Sequence, residues 1–164
     1  MKKELDYFTI EGCYGGNQDW FTNLVMHMGG CAAATACDSC IYFGLQNEKM
    51  KPLYPFDIEC LTKEDYKAFS QIMKPYLKPH AGGVRKLSWF VEGLGRYIQD
   101  VNEAKHTDIY IRMEEFCGDH TWQEAAIFIN FVNEPKGDTS VISLQFILRY
   151  SRFVKSFNAD ISDK

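Results

Sequence analysis

The sequence predicts an α+β fold, a helical N-terminal half followed by a small C-terminal antiparallel sheet. Apolar residues recur at helical spacing in several stretches between residues 17 and 101. The pattern switches to strict alternation at residue 107, and residues 141–150 form a run of high β-propensity.

Leu5 to Ile10 reads as a short extended segment, and Gly12-Cys13-Tyr14-Gly15-Gly16 as a flexible loop carrying an aromatic side chain. Asn17 can cap a short helix through Trp20, Phe21, Leu24 and Val25 to Met28, which Gly29-Gly30 ends. A second helix opens at Cys31 and runs to about Phe43, with Gly44 as its expected stop. Residues 45–61, punctuated by Pro52 and Pro55, read as irregular. Thr62 and Asp65 resemble a capping box for a helix with an apolar stripe of Tyr66, Phe69, Ile72, Met73 and Tyr76, stopped by Pro75 and Pro79.

Residues 79–83 read as loop, and a long helix is expected from about Leu87 to Val101, burying Leu87, Phe90, Val91, Leu94, Tyr97, Ile98 and Val101. Its interior glycines, Gly93 and Gly95, disfavour a straight rod or permit close packing. Ile109, Ile111 and Met113 then alternate with polar residues, so Thr107 to Met113 reads as a strand. Thr121 and Glu124 suggest another helix start, continued through Ala125, Ala126, Ile129 and Val132. Val141 to Tyr150 is the last expected strand, and residues 151–164 read as a polar tail on a single domain spanning 1–164. So few strands make a sheet that is hard to stabilise alone, and its apolar last strand would leave an open edge. A homodimer through that edge is the expectation.

Composition narrows the function. Apolar residues make up 46% and aromatics 15% of the 164 residues, which is the composition of a globular chain. A net charge of −4 disfavours nucleic acid and acidic membranes as partners, because phosphate recognition needs clustered Lys and Arg. No apolar run is long enough to cross a bilayer and the first residues lack an apolar export core, so a cytoplasmic location is the default expectation. The six cysteines, at 13, 31, 37, 40, 60 and 117, are too sparse for a disulfide scaffold and read as reduced thiols.

The sharpest chemistry lies in Gly29 to Tyr42, GGCAAATACDSCIY. A thiol in the first turn of a helix faces the positive end of the macrodipole and unpaired backbone N–H groups, which stabilise a thiolate and can hold an oxyanion. Gly29 and Gly30 allow a tight, even positive-φ approach and let a substrate backbone come close. Ala32, Ala33, Ala34 and Ala36 are strong helix formers whose small side chains let a neighbour pack near the axis. The competing reading is ordinary close packing around a buried cysteine.

Gly12-Cys13-Tyr14-Gly15-Gly16-Asn17-Gln18-Asp19-Trp20-Phe21, followed by Gly29-Gly30-Cys31-Ala32-Ala33-Ala34, resembles the opening of papain-like cysteine peptidases of the C39-like type, in particular an uncharacterised bacterial group. The likeness is strongest over residues 11–43 and looser over 81–148. It implies a papain-like fold, Cys31 as nucleophile, and Gln18 or Asn17 as an amide donor to the oxyanion. Gln18 lies farther from the cysteine than is usual in such peptidases. They also bring a histidine from a late strand, and here the segment after Val141 contains none.

Four histidines remain. His120 ranks first as base, lying beside Asp119 and before the capping Thr121, with a solvated loop histidine as the bland alternative. His106 follows, His80 in its Pro-Gly loop reads as solvent-facing, and His27 cannot be paired with Cys31 by helical spacing because glycines intervene. Cys37 and Cys40 share a helix face, but no second ligand pair accompanies them, so they read as buried thiols with no metal and no cofactor. Tyr14, Trp20 and Gly30 complete the candidate binding set around Cys31, although aromatic residues there equally suit a core. Two functions follow: a cysteine peptidase or acyl hydrolase acting on a peptide or small acyl substrate, or a non-catalytic dimeric binding protein on the same fold.

Overall fold

The computed structural model describes residues 7–80, 84 and 86–113, together with the backbone of 127–130 and 143–146. Its first element is a hairpin where an extended segment and a loop were expected. Strands β1 (Thr9–Ile10) and β2 (Cys13–Tyr14) pair antiparallel, with Thr9 opposite Tyr14 and Ile10 opposite Cys13. Between them Glu11 and Gly12 both have positive φ, 48° and 81°, as a two-residue primed turn requires.

The single helix expected over residues 17–28 is two pieces. Asn17 caps a 3-10 turn, Gln18–Trp20, by accepting from the Asp19 N–H. Phe21 is extended, and Asn23 caps helix α1 (Leu24–Gly29) by accepting from the Met26 N–H. Each asparagine satisfies an N–H orphaned at a helix start, so the chain restarts instead of continuing. The expected buried face is also inverted, because Leu24, Val25 and Met28 are 70, 56 and 63% exposed while Met26 and Gly29 are buried.

Helix α2 (Cys31–Gln46) is the centre of the structure. Cys31, Ala32, Ala33, Ala36, Cys37, Cys40, Ile41, Tyr42 and Phe43 are all buried, so the helix is covered on most of its circumference, as an all-round apolar helix must be. Gly44 does not stop it. The helix continues to Gln46, and a Cβ at position 44 would lie 2.5 Å from Ile58 Cδ1, so this glycine admits a neighbour. Asn47 then caps a 3-10 turn, Glu48–Leu53, within the stretch expected to be irregular.

Thr62 caps helix α3 (Lys63–Met73), its hydroxyl accepting from the Asp65 N–H and donating to the Asp65 carboxylate. Tyr66, Phe69 and Met73 are buried, whereas Ile72 is 40% exposed. Helix α4 (Leu87–Lys105) buries Phe90, Leu94, Tyr97 and Ile98, and the Tyr97 hydroxyl donates to the Leu53 carbonyl at 2.7 Å. The main chain at Tyr76 and the Leu77 side chain close onto Gly93, which is the close packing its small size permits. His106 caps α4 in the left-handed conformation, φ 54° and ψ 45°.

After α4, Asn102 organises the chain. Its amide donates to the Ile109 carbonyl, and its oxygen accepts from the Ile109 N–H and the Thr107 hydroxyl. Ile109 and Ile111 are buried as the alternation requires, but ladder pairing begins only at β3 (Arg112–Met113). Strands β4 (Ile127–Asn130) and β5 (Ser143–Phe146) complete an antiparallel sheet in the order β3-β4-β5. Met113 pairs with Ile129, and Ile129 with Leu144.

The helix expected through Ala125 to Val132 is overturned where it meets β4. A short apolar run fits both periods, and in Ile127-Phe128-Ile129 the β-branched and aromatic side chains favour extended chain once two partner strands flank it. The architecture is α+β, mostly helical with a small antiparallel sheet. No helix among the described residues is long and apolar enough to cross a membrane.

Candidate functional site

Cys31 occupies the first turn of α2, separated from the end of α1 by Gly30 alone. The junction is tight: the Gly30 N–H donates to the Met26 carbonyl at 2.7 Å, and the Gly30 carbonyl accepts from the Ala34 N–H at 2.9 Å. Gly30 has φ −87°, so the expectation of a positive-φ turn is replaced by a steric reason. A Cβ on Gly30 would overlap the Met26 carbonyl, and one on Gly29 would overlap the main chain of His80. The backbone that approaches the glycine pair is this chain's own.

Main-chain N–H groups of Val84, Ala32 and Cys31 itself act to lower the pKa of the Cys31 thiol. Those groups favour a thiolate, yet burial outweighs them and raises the thiol above its ordinary value. With 8% of its surface exposed, Cys31 rests as a covered, neutral thiol. Burial likewise pushes up Cys37 and Cys40, which are free thiols in the core, with Cys37 raised further by its neighbours Cys40 and Asp38. Among the described residues no group of three or more His, Cys, Asp and Glu side chains is placed to hold a metal ion.

The other sequence candidates are placed as follows. Gln18 donates its side-chain amide to the His27 carbonyl, bracing the 3-10 turn against α1. Asn17 is a cap, as expected. Tyr14 is 77% exposed on β2. Trp20 is half-buried, edge-on to Tyr66 at 5.6 Å between ring centroids, with the Lys63 ammonium 5.2 Å from its ring centre. These contacts make Trp20 part of the packing around α3.

Of the histidines, His120 lies outside the described residues, as does the capping pair Thr121 and Glu124. His27 is exposed on α1. His80 is exposed too, but it does not simply face solvent: its ring lies 5.1 Å from that of Trp89, and its main chain abuts Gly29. His106, at the far end of α4, is roughly 25 Å along the helix from Trp89 at 1.5 Å per residue.

Sequence reasoning missed a second cluster, two turns farther along α2. Asp38 Oδ1 accepts from the Gly16 N–H at 3.0 Å and from the Tyr66 hydroxyl at 2.9 Å, and Oδ2 accepts from the Tyr7 hydroxyl at 3.1 Å. Tyr66 also lies 3.1 Å from the Ala34 carbonyl, and burial with the nearby Asp38 charge raises its phenol well above the usual range. A carboxylate two turns after Cys31 on a small-residue helix was the available signal, but its partners lie 22, 28 and 31 residues away. No protein-family model, curated protein or solved structure matches the chain.

Proposed function

We propose that this chain is a cysteine-dependent acyl hydrolase of papain-like kind, with Cys31 as nucleophile and a peptide or small acyl compound as substrate. The observation that supports this most is the place of Cys31 as the first residue of α2, where the leading backbone N–H groups have no carbonyl of the helix to bond. Unpaired N–H groups beside a sulfur at a helix start are suited to hold the oxyanion that forms when that sulfur attacks a carbonyl. In the reaction, a base removes the thiol proton, the sulfur forms a bond to the acyl carbon, and the bond to the leaving group breaks as that group takes up the proton. The thioester so formed is released by water, which regenerates the thiol. His120 is the base that the sequence ranks first, and Gln18 would add a side-chain donor if its amide turned from the His27 carbonyl.

The covered, neutral thiol favours a second reading, a non-catalytic binding protein that dimerises through the open edge of the C-terminal sheet, in a cytoplasmic setting. Incubation with a panel of peptides, activated esters and thioesters separates the two. The hydrolase reading expects turnover that Cys31→Ala reduces by at least about a hundredfold, the scale of losing a nucleophile or oxyanion donor. Turnover unchanged by Cys31→Ala sinks it.

A further inference from the structure

Helix α1 turns its apolar side chains the wrong way for a core helix. At about 100° per residue, Leu24, Met28 and Val25 fall within one arc of roughly a quarter of the circumference. Those three are the exposed ones, while Met26 and Gly29 face the body of the protein. Exposed apolar residues scattered singly need no explanation, but three large ones gathered on one face mark a binding surface. This face stands next to the thiol. Met28 is separated from Cys31 only by Gly29 and Gly30, so their Cα atoms lie within about 11 Å of each other. The Gly30 N–H, donating to the Met26 carbonyl at 2.7 Å, holds that junction closed.

The size and charge of the face select its occupant. A stable dimer uses about 20–30 residues a side, and a three-residue face on a six-residue helix falls far short of that. An anionic lipid surface needs Lys or Arg beside the apolar residues, and the sequence holds neither between Lys3 and Lys49. A peptide is held through main-chain hydrogen bonds along a strand edge or by seating a helix in a groove, whereas this face offers hydrocarbon and a thioether. An uncharged aliphatic chain asks for nothing more, and the flexible Met28 can adapt to it.

We propose that Leu24, Val25 and Met28 seat the aliphatic chain of an acyl substrate whose carbonyl is presented to Cys31. This rests on the nucleophile reading above and names its substrate class, a neutral ester or thioester of an aliphatic acid.

The test compares acetyl, butanoyl and octanoyl thioesters of one thiol, each below its micellar concentration, and counts only turnover that Cys31→Ala abolishes. In the unaltered protein kcat/KM should rise along the series, with octanoyl exceeding acetyl by about tenfold or more. Replacing Leu24, Val25 and Met28 together by serine removes apolar surface from exposed positions and should lower that ratio to about threefold or less. A flat series in the unaltered protein overturns the proposal and leaves the hydrolase reading standing. A ratio that the serine variant does not change does the same.

Absence of Cys31-dependent turnover on every thioester sinks the hydrolase reading, and the surface is then judged by binding alone. The probe is a dansyl-labelled octanamide, followed by fluorescence anisotropy. Binding at least about threefold weaker in the serine variant supports an aliphatic-chain surface on α1, and equal binding in the two proteins overturns it.

Discussion

Two turns of the same helix receive the chain in opposite ways. At the first turn of α2, the glycine pair 29-30 lets main chain close on main chain beside Cys31, whose thiol burial keeps neutral. Two turns later, the glycine pair 15-16 lets a loop close on side chains. Gly15 faces Tyr7 and Asp38, Gly16 faces the Tyr66 ring, and the Asp38 carboxylate accepts from three donors. Hydrogen bonds to a carboxylate are roughly twice as strong as neutral ones. The difference teaches that a glycine pair announces a close approach without saying what approaches. At Asp38 the approach is tied by hydrogen bonds to a carboxylate, and at Gly29 it is main-chain packing alone.

The largest effect should come from closing the space at the anchor. A Cβ at Gly16 would overlap the buried Tyr66 ring, which its hydroxyl holds in place, so Gly16→Ala should cost about 3 kcal/mol by overpacking. Urea unfolding measures this, and a midpoint equal to that of the unaltered protein would show that the ring has room to move. Asp38→Ala should cost less, about 2 kcal/mol, by leaving the Gly16 N–H and a buried phenol short of an acceptor. Tyr66 retains the Ala34 carbonyl, so if the cost is near zero that carbonyl is the sufficient partner and Asp38 is not the anchor.

The smallest effect at neutral pH is one that grows in alkali. Burial raises the thiols of Cys37 and Cys40 in the folded state, so their contribution to stability is complete below the ordinary thiol range and is lost as pH rises through it toward the folded values. Unfolded thiols lose their protons first, and each raised thiol then removes up to about 1.4 kcal/mol per pH unit. Stability measured from pH 7 upward should be flat and then fall, and Cys37→Ala should make that fall shallower. An identical slope in the variant would place the alkaline loss elsewhere, for instance on the buried phenols of Tyr66 and Tyr97, which burial also raises.

The legible parts of the fold were those written locally. Thr62 and Asp65 specify a helix start within four residues, and the structure has it. The α4 face of Phe90, Leu94, Tyr97 and Ile98 is likewise set by its own spacing. Local signals failed where two readings fit the same residues. Leu24, Val25 and Met28 have helical spacing but point outward, and Ile127-Phe128-Ile129 accommodates either period until β3 and β5 flank it. The candidate site divides the same way. Cys31 at a helix start could be read directly, whereas the engagement of Gln18 with the His27 carbonyl could not.

What the sequence determined by itself is the helices α2, α3 and α4, the alternating burial at Ile109 and Ile111, and a thiol in the first turn of a small-residue helix, because caps and periodicity act over a few residues. What only the tertiary structure decided is which chain closes on the glycines before that thiol and which groups meet Asp38. His80 reaches Gly29, two residues before the cysteine, from about 50 residues away, and Tyr7, Gly16 and Tyr66 reach Asp38 from both sides of α2 in the chain. Such contacts follow from how helices pack and where loops return. Residue type at a single position carries no record of that.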